Sequence, residues 1–317
     1  MCSLLLGLIA AAAIALPARA ETVTVAVTAI VEHPALDACR DGVKDGLAEA
    51  GYKDGENLKF LYESAQGNPA TAAQIARQFV GEQPAVIVPI STPSAQAVAA
   101  ATKDIPTIFT AVTDPVAAEL VASIDKPGGN VTGLSDMSPL ADHLALINEI
   151  TPKVARLGVI YNPGETNSVA LVARLKMLAP DAKIEIVEST ATKSADVQAA
   201  ARALVGKVDA LYVPTDNTVV SALEAIVAVA EQNKLPFYTA DTDSVARGAM
   251  ASIGFNYYDV GKQAARMVVR VLKGEKPADI AVEFAAGTDL VVNKKAAAAM
   301  GVTLPEAVVA RAGKVIE

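Results

Sequence analysis

A short apolar strand that stops in a polar loop and leads into an Ala/Val-rich helix recurs at least six times along this chain. The clearest copies are AVIVPI-STP-SAQAVAAAT, TIFTAV-TDP-VAAELV, LGVIY-NPGETNS-VALVARL and ALYVP-TDN-TVVSALEAIVAVA. Strands alternating with helices build a parallel sheet, and such sheets gather ligands at the carboxyl ends of their strands. Those ends carry Ser91, Thr92, Asp114, Asn162, Asn167, Ser168, Asp216, Asn217 and Asp241. They are hydroxyls, amides and carboxylates, with no histidine or cysteine among them. That inventory suits holding a small polar molecule better than transforming one.

At 317 residues the chain is long for a single hydrophobic core, so two lobes are expected. Hydrophobic residues make up 52% but aromatics only 4%; the alanine excess points to closely packed helices. The formal net charge is −8, and no basic stripe offers a footprint for nucleic acid.

The N-terminus reads as a secretory signal covering residues 1–20. Leu4–Leu16 is an apolar run shorter than the roughly 20 residues of a membrane span, and Ala18-Arg19-Ala20 gives the small-x-small pattern of a cleavage site. The basic segment that usually precedes such a run is absent. Cys2 falls in this segment, so the rest of the chain has Cys39 alone. On a helix whose apolar stripe is Leu36, Cys39, Val43 and Leu47, that cysteine reads as a small core residue.

Strands are expected at 22–28, 58–63, 85–90, 107–112 and 131–134. After Ser138, with Pro139 at the first helical position, a second series follows, with strands at 157–161, 183–187, 210–213 and 237–240. Its helices lie near 168–178, 194–204, 218–232 and 244–247. Residues 251–253 read as a return to the first lobe, followed by a helix at 258–273. The fold expected is α/β: two doubly wound parallel-sheet lobes joined by three crossings near 131–136, 250–256 and 283–290. The N-terminal lobe takes residues 21–133 and 252–285, the C-terminal lobe 134–251 and 286–317. The strand-end loops of both face a cleft, and three crossings confine motion to a hinge.

Each polar strand end has a plain structural reading beside the functional one. Asp216 and Asn217 suit a helix N-cap, and equally a contact with a ligand ammonium. Ser91 and Thr92 precede a helix N-terminus that favours an anion such as a ligand carboxylate; Asn167 and Ser168 have the same ambiguity across the cleft. Asp114 before Pro115 suits a turn. Asp241 and Asp243 flank Thr242, and suit a solvated rim better than a cation site. Of Phe109, Tyr161, Tyr238 and Tyr257, Tyr257 beside the second crossing is the best candidate to stack on a solute. His33 lies in the first strand-end loop within reach of a ligand, whereas His143 falls within a helix. No catalytic constellation, metal site or cofactor loop is found, so no catalytic residue, metal or cofactor is expected.

Four strings, VTDPVAAELVASIDKPGGNVTGLSD, GVIYNPGETNS, VDALYVPTDNTVVSALEAI and LVVNKKAAAAMGVTLP, carry a resemblance over essentially the whole chain. It resembles the periplasmic solute-binding proteins of ABC importers, in the group that includes tryptophan- and other aromatic-amino-acid-binding proteins. The resemblance implies a type I binding-protein fold and periplasmic capture of a small zwitterionic solute such as an amino acid. It also implies delivery to an ABC permease in the inner membrane, by a monomer. Ligand contacts are implied at Ser91-Thr92, Asp114, Asn167-Ser168 and Asp216-Asn217. Alternatives are a ligand-sensing module for a signalling partner and an exported small-molecule enzyme.

Overall fold

The computed structural model describes residues 22–317, so the expected signal segment and Cys2 lie outside the described residues. The chain opens with β1 (Val23–Ala29), α1 (Pro34–Glu49), β2 (Leu58–Ser64), α2 (Pro69–Glu82), β3 (Val86–Ile90), α3 (Thr92–Ala101), β4 (Thr107–Val112) and β5 (Val131–Ser135). It continues with α4 (Leu140–Ile150), β6 (Arg156–Tyr161), α5 (Thr166–Leu178), β7 (Glu185–Thr190), α6 (Val197–Leu204), β8 (Ala210–Val213), α7 (Asn217–Val220), α8 (Leu223–Asn233), β9 (Phe237–Thr239), α9 (Asp243–Ala246) and β10 (Ala251–Gly254). Last come α10 (Tyr257–Leu272), β11 (Glu283–Phe284), β12 (Asp289–Asn293), α11 (Lys294–Ala299), α12 (Glu306–Arg311) and β13 (Lys314–Ile316).

Among the described residues the strands form a six-stranded sheet, β11-β5-β4-β3-β1-β2, and a seven-stranded sheet, β13-β12-β10-β9-β8-β6-β7. Pairing is parallel throughout except between β10 and β12. Parallel strands covered by helices on both faces read as continuous apolar runs, and β3 and β4 are buried along their whole length. Each sheet has its own apolar core. One gathers Val25, Val27, Ile87, Val43 and Met267; the other gathers Val159, Leu211, Phe237, Leu144 and Ile226. This is the two-lobed type I binding-protein architecture.

Five local expectations are corrected. Residues 251–253 do not return to the first lobe: β10 pairs with β9 and β12 inside the second sheet, so the crossing follows Gly254. β5 likewise stays in the first sheet through Ser135. Pro139 flanks α4 instead of opening it. Lys183 adopts a left-handed φ of 58° in a turn, which delays β7 to Glu185. The helix expected over 218–232 is two helices, broken at Ser221-Ala222.

Candidate functional site

In the first sheet the winding direction reverses between β1 and β3, and in the second between β6 and β8. A crevice opens outside the strand carboxyl ends at such switch points. A cavity lies there between the lobes. The first lobe contributes His33, Ala35, Leu36, Ala111, Thr113 and Tyr257. The second contributes Asn167, Thr215, Asp216, Asn217, Val220 and Asp241, and Asp136 enters from the first crossing. A wider cleft of about 1430 Å³ shares Asn217 with it.

Three carboxylates line this cavity, all 3% exposed or less. Asp136 Oδ2 accepts the Tyr257 hydroxyl at 2.6 Å and Oδ1 accepts Thr113 Oγ1 at 3.4 Å. Asp241 accepts the Ser244 N–H at 2.8 Å and Ser244 Oγ at 2.6 Å. Asp216 caps α7 by accepting the Val219 N–H at 2.7 Å; its other oxygen accepts the Asn162 N–H and Ser168 Oγ, both at 2.6 Å. Burial raises the pKa of all three, because a low-dielectric site disfavours their charged forms. For Asp216, burial and then the neighbouring Glu165 charge raise it to about 7. Among the described residues no lysine or arginine lines the cavity. Its one histidine, His33, is pushed down to about 3 by burial and then by the Arg247 charge, so it is neutral and supplies no countercharge.

The asparagines are set from behind. Glu165, at the start of α5, is buried and accepts the Asn217 N–H at 3.1 Å and Asn217 Nδ2 at 2.6 Å. It also accepts the Thr218 N–H at 2.9 Å and Thr218 Oγ1 at 2.7 Å. Asn167 Nδ2 donates to the Thr215 carbonyl at 2.8 Å and to Glu165 at 3.3 Å. Asn167 Oδ1, Thr215 Oγ1 and His33 Nδ1 are buried on cavity-lining residues and have no protein partner.

Of the nine residues singled out in the sequence, Asn167, Asp216, Asn217, Asp241 and Tyr257 share the cavity lining. Ser168 stands one step behind, donating to Asp216. Ser91 and Thr92 lie buried at the start of α3 with unpartnered hydroxyls. Ser91 (φ 80°) and the cavity residue Ala111 (φ 53°) both hold left-handed backbone, the kind of strain that collects at ligand sites. The Ser91 N–H donates to the Thr110 carbonyl, just before Ala111. Asp114 lies outside the cavity lining and accepts the Val116 and Ala117 N–H groups in a turn. Asp241 sits inside the cavity and not on a solvated rim.

Among the aromatics, Phe109 is core, Tyr161 pairs with Glu188, and Tyr238 bonds Thr151. His143 bonds Tyr212 and the Ile253 carbonyl inside the second lobe. Cys39 is buried, with its thiol pushed up to about 12, and is unreactive. Asp136, Thr113, Thr215 and Glu165 were not singled out. Asp136 repeats the pattern of a polar residue after a strand, and Glu165 sits inside the NPGETNS loop.

Residues 24–316 match the family of ABC transporter substrate binding proteins. The chain belongs to that family. A curated tyrosine-binding protein of Clostridioides difficile (strain R20291) is 43% identical over 85% of this chain and 78% of its own length. A crystal structure of a conserved domain protein from Vibrio cholerae is 55% identical, with a TM-score of 0.92, over 93% of this chain and 100% of that one. A Streptococcus structure in complex with L-Trp is 38% identical, covers the same shares, and has a TM-score of 0.90. A ligand-free, open substrate binding protein from Clostridium difficile is 40% identical over 93% of this chain and 99% of its own, and its TM-score is 0.71. This family member therefore binds a small molecule for an ABC transporter and is not an enzyme.

Proposed function

We propose that this protein captures an amino acid, aromatic in the manner of tyrosine or tryptophan, between its lobes and delivers it to an ABC permease. The observation that carries this reading is the charge imbalance of the cavity: three buried carboxylates and no lysine or arginine. A solute ammonium supplies the missing cation, and charged partners of this kind bond more strongly than neutral ones. Ser91 and Thr92 lie outside the inner cavity lining, and their unpartnered hydroxyls at the start of α3 suit the solute carboxylate. Ala35, Leu36, Ala111, Val220 and Tyr257 offer an apolar wall for its side chain. The relatives described as tyrosine-binding and as bound to L-Trp support the aromatic class.

Capture works by hinge closure at the three crossings. The far higher TM-score to the L-Trp complex than to the ligand-free open structure, at similar identity, supports a closed arrangement of the lobes. So does the bond from Gln96 Nε2 in α3 to Thr166 Oγ1 in α5, which spans the lobes at 3.4 Å. Export by the apolar run at residues 4–16 would place the protein, as a monomer, in the periplasm.

The reading is tested by mass spectrometry of whatever co-purifies, followed by thermal-shift screening of the L-amino acids. A solute present at about 100 times its Kd stabilises the fold by about 2.7 kcal/mol, enough to raise Tm by several degrees. An aromatic amino acid is expected to give the largest shift. If no amino acid raises Tm, the ligand class is wrong. Solution scattering checks the hinge: the solute should reduce the radius of gyration, and an unchanged radius would count against closure.

A further inference from the structure

We infer that Glu165 is a positioning residue that fixes which way round the solute enters, because it locks both cavity asparagines with their carbonyl oxygens free. This rests on the amino-acid reading above and goes beyond it. Glu165 is 6% exposed and does not line the inner cavity. As a carboxylate it only accepts hydrogen bonds. Its Oε2 takes the side-chain amide nitrogens of Asn217 (2.6 Å) and Asn167 (3.3 Å). Its Oε1 is anchored by the Thr218 N–H and hydroxyl at 2.9 and 2.7 Å.

The chemistry leaves one orientation for each amide. Turning the Asn167 amide over would set its oxygen against two acceptors, Glu165 Oε2 and the Thr215 carbonyl, which its nitrogen now meets. Asn167 Oδ1 is therefore left buried and unpartnered on a cavity-lining residue. Asn217 Oδ1 is turned away from Glu165 in the same manner, because the nitrogen faces it. Thr215 Oγ1, also buried and unpartnered, adds a third oxygen, and the Asp216 carboxylate adds a fourth group.

The second-lobe side of the cavity thus presents mainly acceptors, with the Thr215 hydroxyl able to accept or donate. An ammonium carries three donors and no acceptor, so it fits; a carboxylate there would face oxygen against oxygen. The solute ammonium is placed at Asn167, Thr215 and Asp216, and its carboxylate toward the first lobe. A buried acceptor left unmatched costs affinity, so a solute without the ammonium is rejected.

The test is calorimetry with L-tyrosine and L-tryptophan, each against its analogue lacking only the amine, 3-(4-hydroxyphenyl)propanoate and 3-(indol-3-yl)propanoate. Tyramine, which keeps the ammonium and lacks the carboxylate, is the third probe. In the wild type, losing the ammonium is expected to weaken binding about 100-fold. In Glu165→Met the amides lose their common acceptor at similar side-chain size, and that ratio should fall to about 10-fold or less, with tyramine weakened alongside the amino acids. If Glu165 merely supports the fold, all probes weaken by one factor and the ratio is unchanged, which overturns the inference.

Should Glu165→Met not fold, Thr218→Val removes the shortest of the three hydrogen bonds to Oε1, which Thr218 and Asn162 Nδ2 supply, at nearly constant shape. It should lower the ratio about threefold; an unchanged ratio there also overturns the inference. If neither amino acid binds the wild type, the amino-acid reading itself falls and takes this inference with it. That outcome is distinct from wild-type binding with an unaltered variant ratio.

Discussion

Both oxygens of Asp216 serve the fold, and on the proposed reading the same carboxylate also meets the solute ammonium. One caps α7 through the Val219 N–H, while the side chain as a whole lines the cavity as one of three carboxylates. Asparagine caps helices about as well as aspartate. Asp216→Asn keeps that cap but sets an amide nitrogen against the Asn162 N–H, so it should cost about 1–3 kcal/mol of unfolding free energy by denaturant titration and, in the folded variant, weaken the amino acid at least about tenfold by calorimetry. Unchanged affinity in the folded variant would mean that Asp216 serves the fold alone.

The same residue sets a pH dependence. Its pKa in the free protein is raised to about 7, by burial and then by the Glu165 charge. A carboxyl raised on folding adds stability below its ordinary value of about 4, and that stability is lost as pH rises through about 7. An arriving ammonium favours the carboxylate form, so binding should release a proton and tighten between about pH 4 and 7. Calorimetry in buffers of different ionisation heat reads this directly; affinity that is flat across the window would contradict it.

Residues at this scale were legible where function follows from local position. Asn167, Asp216, Asn217 and Asp241 end their strands, and the strand-to-loop pattern is visible in the string itself. Glu165 was not legible, because its meaning comes from Asn217, 52 positions away.

At the scale of elements, α1 and α10 are the packing that brings Tyr257 to the cavity. They approach so closely that a Cβ on Gly42 would lie 2.0 Å from the Tyr258 carbonyl oxygen, and one on Gly261 would lie 2.0 Å from that of Cys39. Both contacts are with backbone, which cannot swing aside. Gly261→Ala should destabilise the protein by about 1–3 kcal/mol, seen as a lower urea midpoint with an unchanged slope. Wild-type stability in this variant would show that the helices can slide apart freely.

Repeated βα units were readable because each carries its own period and punctuation. The lobe assignment of β10 was not. An apolar run such as Ala251-Ser252-Ile253 states that it is buried but not in which sheet, and its partner β12 arrives only after α10 has passed through the other lobe. The break at Ser221-Ala222 was hidden for a similar reason, since the apolar period runs on across it.

At the scale of the whole molecule, two sheets place their switch points face to face, and the crossings tie them across the cleft. Neither lobe holds a complete site. His33 and Tyr257 come from one side, Asn167 and Asp216 from the other, with Asp136 at the crossing between them. A solute that touches both sides favours the closed state by its differential affinity. The central claim is that the uncompensated carboxylates between the lobes select an amino acid through its ammonium. Its most direct test is titration calorimetry of the purified protein with L-tyrosine or L-tryptophan and with the matching amine-free acid. The account predicts saturable one-to-one binding of the amino acid and at least about 100-fold weaker binding of the acid. Equal binding of the two, or binding of neither, would contradict it.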